Sequence, residues 1–290
     1  MKTASTQTIH RLRKQWALLV FIVLVTYSCG TSPAPTSMVE KSDTTQEAPK
    51  IDEWPDINKL NAKGMAPLHE AVRNKNLPLA RTLIQRGADV NLFSNAKMNP
   101  LYYAADCNQV EMIQLLLDAG ASINAKSVDG WGPLLISIER GYTQVAEELI
   151  LRGADAKTAN HFGWTAQHSA TAGGHLEVLR LLIEYGADVN TRQFPDTVLH
   201  WAAIKGRAEA AALLIQHGAF IDQMNMNGAM PLHLAISYSH KNVIAVLLDN
   251  GADPNVVATN GFTPLITAYK WPGVKDREGI ALLLRLYGAE

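Results

Sequence analysis

Residues 230–252 read MPLHLAISYSHKNVIAVLLDNGA, and the pattern returns along most of the chain. Its closing Gly-Ala recurs at Gly87, Gly120, Gly153, Gly186, Gly218, Gly251 and Gly288, with spacings of 33, 33, 33, 32, 33 and 37 residues. Its opening recurs in the same register: Ala66-Pro67-Leu68-His69, Asn99-Pro100-Leu101-Tyr102, Gly132-Pro133-Leu134-Leu135, Thr165-Ala166-Gln167-His168, Thr197-Val198-Leu199-His200 and Thr263-Pro264-Leu265-Ile266. Two markers holding one register identify a tandem repeat, and a period of about 20–50 residues means a stacked or arrayed architecture.

The residue types explain one unit. Proline is tolerated in a first helical turn, where its missing N–H costs nothing. A threonine hydroxyl before it caps that turn, and the motif histidine ring bonds to neighbouring backbone across the turns. Apolar residues then recur at helical spacing, as in Leu176 to Ile183, before a glycine suited to a left-handed helix end. Each unit is therefore two short helices, a loop and a turn.

The paired markers resemble the ankyrin repeat over residues 61–290. The resemblance implies an all-α solenoid of about seven helix-turn-helix units with β-hairpin or turn fingers, in which no unit is stable without its neighbours. Residues 51–60, with Trp54, Ile57 and Leu60, are expected to cap the first repeat. Lys275, Asp276, Arg277 and Glu278 are expected to give the last one a polar rim. Helices packed 8–10 Å apart make a curved rod on the order of 65 Å long.

Ahead of the repeats, Arg11, Arg13 and Lys14 precede an apolar run from Trp16 to Val25, then Thr26-Tyr27-Ser28-Cys29-Gly30. A charged start, a short apolar run and a small residue before a cut site predict a signal peptide over residues 1–28. The run falls short of the roughly 20 apolar residues that a spanning helix needs. Val25 to Cys29 resembles the lipobox of bacterial lipoproteins. That resemblance implies acylation of Cys29, attachment to the membrane through a multi-chain lipid anchor, and, since Gly30 is not aspartate, the periplasmic face of the outer membrane. A conventional signal peptide, an uncleaved signal anchor and surface exposure stay open. Residues 29–50, rich in Ser, Thr, Pro, Glu and Lys, read as a disordered tether.

Composition narrows the function. With 47% hydrophobic and 18% charged residues among 290, the chain can build an extended core. A net charge of -1 lacks the basic stripe that nucleic acid requires. His69, His168, His200 and His233 share one motif position, which assigns them to repeat structure. His161, His168 and His175 lie seven apart without zinc-site partners. No HExxH, Walker-type loop or nucleophile elbow occurs, so no enzyme activity, metal, cofactor or small-molecule substrate is expected. If Cys29 carries lipid, Cys107 is expected to be an apolar filler with no bridge to make.

Ankyrin-like stacks are binding scaffolds, and the resemblance places contacts on finger tips and inner helices. The tip position reads Met65, Met98, Trp131, Trp164, Asp196, Ala229 and Phe262. Phe162 and Phe194 adjoin it, and Tyr103, Trp201, Tyr238 and Trp271 occupy outward positions of the inner helices. Exposed aromatics suit protein-binding hot spots, although neighbouring tips such as Trp131 and Trp164 can instead pack on each other. The expected function is a non-enzymatic interaction scaffold or regulator anchored in the bacterial envelope. The alternatives are an inhibitor or immunity-type protein blocking an envelope enzyme or toxin, and a secreted effector binding a host protein.

Overall fold

A computed structural model describes residues 56–290. The signal segment, Cys29, the tether and Trp54 lie outside the described residues. Among these there are fourteen helices in seven pairs. The first helices are α1 (Pro67–Arg73), α3 (Pro100–Asp106), α5 (Pro133–Glu139), α7 (Ala166–Gly173), α9 (Val198–Lys205), α11 (Pro231–Ser237) and α13 (Pro264–Lys270). The second helices are α2 (Leu77–Gln85), α4 (Val110–Asp118), α6 (Thr143–Leu151), α8 (Leu176–Glu184), α10 (Ala208–Gln216), α12 (Lys241–Asp249) and α14 (Arg277–Leu286).

Local chemistry sets the helix ends. Thr165, Thr197 and Thr263 each accept the N–H three residues on, and Asn99 does the same for Tyr102. Each Gly-Ala glycine has φ between 86° and 90°, so a side chain there would strain the turn that leaves the second helix. The fingers that follow are closed turns: Ser94 N donates to Met98 O, Ser127 N to Trp131 O, and Asn160 N to Trp164 O. The hairpin expectation is met only by one isolated bridge among the described residues, Ala159 with Thr165.

Two rows of buried residues run the length of the stack. The second helices contribute Leu83, Leu116, Leu149, Leu182, Leu214, Leu247 and Leu284. The first helices contribute Ala71, Ala104, Ser137, Ala170, Ala202, Ala235 and Ala268. Small side chains let the first helices approach one another more closely than the second helices do, which puts first helices and fingers on the inside of the curve. Ile57 packs against the core, and Asn58 Oδ1 accepts Asp89 N, so residues before α1 imitate a repeat end. At the far end, Asp276 caps α14 and pairs with Lys241, while Arg277 donates to the Tyr269 and Trp271 carbonyls.

Hydrogen bonds stitch consecutive units together on two lines. Along the outer line, side-chain oxygens of Asn91, Asn124, Asn190 and Asn255 accept the N–H of Ser122, Asp155, Phe220 and Glu290. Lys157 stands where this ladder would carry its asparagine between the third and fourth repeats. Along the inner line, the Nε2–H of His168, His200 and His233 donates to the carbonyls of Asp196, Ala229 and Phe262 in the next finger. His168, His200 and His233 therefore cross-link neighbours, whereas the buried Nε2 of His69 makes no such bond.

Candidate protein-binding face

The concave side is built from residues that the stack leaves unburied on first helices and fingers. At its centre Trp164 meets Trp201 and Phe194 edge-on, with ring centroids 4.8 and 5.1 Å apart, and His168 lies 5.1 Å from Trp164. Two adjacent repeats supply these rings, because Trp164 ends the finger ahead of α7, whereas Phe194 lies in the finger ahead of α9 and Trp201 projects from α9 itself. The Trp164 indole N–H donates to Ser169 Oγ, which donates to Glu139 Oε2, so the ring's orientation is fixed from the repeat before. Edge-to-face pairs add about 0.5–1.5 kcal/mol beyond their area, so this patch is ordered before anything binds to it.

Charge borders the patch on the inner helices. Lys205 Nζ sits 5.6 Å from the centroid of the Trp201 ring, and Arg73 lies 6.0 Å from that of Tyr103. Arg140 bridges at 2.8 Å to Asp106, which is buried. The Trp201 indole N–H is itself buried and makes no hydrogen bond in the protein.

The aromatic residues expected here separate into three groups. Phe162 (51% exposed) and Tyr238 (49%) stand out from the surface. Trp164, Phe194, Trp201, Tyr103, Met98 and Phe262 are half-buried, and Trp271 at the loop after α13 is too. Trp131 is only 8% exposed and belongs to the core, which corrects its expected place on the surface. The reason is steric: the finger of Trp131 folds against the neighbouring first helices, so its ring fills space between repeats. Rings packing on one another, the alternative reading of the tips, is what Trp164, Phe194 and Trp201 do, while keeping part of their surface open.

Sequence reading missed a second set. Phe93, Val128, Met224, Met226 and Val257 are exposed on four of the fingers, with Met226 at 81%. They stand six or eight residues after a Gly-Ala glycine. The same register would have found them.

Burial lowers the pKa of His69, His200 and His233, and takes that of His168 down to about 4, which favours the neutral ring in all four. Among the described residues no cluster of three or more His, Cys, Asp or Glu side chains is placed to hold a metal. A recess of about 520 Å³ lined by Asn91, Phe93, Asn99, Ser122, Ile123, Asn124 and Ala125 contains no titratable group. Cys107 is buried and disulfide-bonded rather than a free thiol, which corrects the expectation of an unbridged filler. Among the described residues no helix is long and apolar enough to cross a membrane.

Family comparison agrees with the geometry. The family described as Ankyrin repeats (3 copies) matches residues 41–127, 124–193, 191–258 and 221–290. The chain belongs to the ankyrin repeat family. Among solved structures, the human ASB11 ankyrin repeat domain superposes with a TM-score of 0.67 at 27% identity, over 78% of this chain and 99% of that one. The ankyrin repeat domain of Bcl-3 gives 0.66 at 27% identity, over 77% and 99%. Among curated proteins, the palmitoyltransferase ZDHHC13 of Mus musculus is 39% identical over 70 residues, 24% of this chain and 11% of the relative. The palmitoyltransferase ZDHHC17 of Homo sapiens is 35% identical over 66 residues, 22% and 10%. This chain therefore spans about a tenth of those relatives, and the similarity is confined to ankyrin repeat sequence. The ankyrin fold is typically non-catalytic and generally binds other proteins.

Proposed function

We propose that this ankyrin repeat protein is a scaffold or regulator that holds one protein partner on its concave face in the bacterial cell envelope, with lipid on Cys29 as its tether in the form of the chain whose Cys107 is unbridged. The observation that carries the binding reading is the Trp164–Phe194–Trp201 patch, preorganised across two adjacent repeats, with Phe162 exposed on the Trp164 finger and Tyr238 exposed at the end of α11. Rigid aromatic anchors supply contact area at low entropic cost, and alanine scans find binding energy concentrated in such residues. The envelope reading rests on the signal-like residues 1–28 and the lipobox resemblance at Ser28-Cys29. The periplasmic face of the outer membrane is the expected site.

Crosslinking in intact cells, followed by partner identification, tests the first part. Phe162→Ala, Trp201→Ala and Tyr238→Ala combined should reduce capture at least about tenfold, the loss of some 1.4 kcal/mol, with a fall in melting temperature from the lost Trp201 packing that the exposed-ring pair Phe162→Ala with Tyr238→Ala should not show. Undiminished capture would reject the concave face. Mass spectrometry of the mature N-terminus tests the second. A lipid thioether on Cys29 and a bridge to Cys107 exclude each other chemically, because the chain has only these two cysteines, and the two species differ in mass.

A further inference from the structure

On the convex back, the seven second helices act as one another's controls. The residue six before the Gly-Ala glycine is Arg81, Gln114, Glu147, Arg180, Ala212 and Ala245 in α2 to α12, and Leu282 in α14. The residue two before it is Gln85, Asp118, Leu151, Glu184, Gln216 and Asp249, and then Leu286. Both positions are exposed or half-exposed even where another repeat stacks alongside. The exposure of Leu282 (62%) and Leu286 (75%) thus follows from their place on the helix and not from what adjoins the last repeat.

The stacking position shows the opposite change. Three residues before the glycine stand Ile84, Leu117, Ile150, Ile183, Ile215 and Leu248, but in α14 it is Arg285, which is exposed. The last helix therefore carries leucine where its sisters are mostly polar, and charge where they are apolar. Residues four apart lie on one helix face, so Leu282 and Leu286 form a stripe. Glu278, which accepts the Tyr269 hydroxyl at 3.2 Å and makes no ion pair among the described residues, and Arg285, which makes none either, sit at opposite ends of that stripe.

We infer that the back of α14 is a self-association surface on which a second copy of this chain docks antiparallel through Leu282 and Leu286. Crossing two such helices at Leu282 about a twofold axis sets Arg285 of each copy against Glu278 of the other, so one operation satisfies both pairs. A parallel crossing would oppose like charges. The contact is a single helix crossing, well below a standard interface, so the dimer is transient and concentration-dependent. This surface lies on the opposite side from the concave patch and stands independently of it.

The test is sedimentation velocity of the full chain in mild detergent over a concentration series. Wild type should shift from monomer to dimer as concentration rises. Leu282→Asp should raise the dissociation constant at least about tenfold, with an unchanged melting temperature. Glu278→Arg and Arg285→Glu should each weaken association, and the double charge swap should restore it. A chain that is monomeric throughout, a dimer indifferent to Leu282→Asp, or a double swap no better than either single change would overturn the inference. So would a monomer that instead floats with phosphatidylglycerol vesicles through Leu282, which would make lipid the occupant.

Discussion

Thr197 makes three bonds to one histidine. Its hydroxyl donates to His200 Nδ1 at 2.7 Å and accepts His200 N, while its own N–H points at the same ring nitrogen. With Nδ1 accepting, the ring's proton must sit on Nε2, which donates to the carbonyl of Ala229. A helix cap and an inter-repeat link are thus one network. Thr197→Val keeps the shape and removes the oxygen, leaving a buried Nδ1 without its hydroxyl partner. A loss of about 1–2 kcal/mol is expected, read as a lower urea midpoint; an unchanged midpoint would show that the cap contributes nothing. Repeat six supplies a natural comparison, since Met230 takes the cap position and His233 Nδ1 is unpartnered.

Among the elements, α7 departs furthest from its sisters. Gln167 occupies the position held by Leu68, Leu101, Leu134, Leu199, Leu232 and Leu265, and Thr171 lies one turn later on the same face. Both are buried, and Gln167 Nε2 and Thr171 Oγ1 have no hydrogen-bond partner. An unsatisfied buried polar group costs about 1–3 kcal/mol. The double change Gln167→Leu with Thr171→Val, similar in volume, should therefore stabilise the protein by on the order of 2 kcal/mol. Chemical denaturation measures it, and a lowered midpoint would mean the polar pair is satisfied by something bound. Lys157 adds a missing ladder bond at the same junction, which makes repeat four the weakest link by two separate criteria.

At the scale of the whole molecule, stability is close to a sum over repeats and their junctions, so the buried histidines act in parallel. Each folded ring has its pKa pushed below the ordinary 6.5 by burial, so the unfolded chain binds more protons in acid. Stability is complete above about pH 6.5 and is lost as pH falls through that value. For His168, whose pKa falls to about 4, the loss by pH 4 is on the order of 3 kcal/mol, at about 1.4 kcal/mol per pH unit. Melting temperature should decline steadily from pH 7 to pH 4, with a shallower slope in His168→Gln. A flat profile would show that the rings titrate freely.

Much of this was legible in residue order because a repeat announces itself by spacing, and spacing survives even where individual residues change. The glycine register, the proline starts and the buried leucine and alanine rows follow from helix geometry alone, as did the assignment of the motif histidines to structure. Burial of a particular aromatic did not. Trp131 and Trp164 hold equivalent positions in adjacent units, yet one ring is in the core and the other faces the concave side, because the space available to each depends on the finger and helix of the neighbouring repeat. The sequence by itself determined the unit, its count and its order. Only the stacked structure decided which side chains remain open to a partner, since exposure is set by what packs alongside and not by position in the chain.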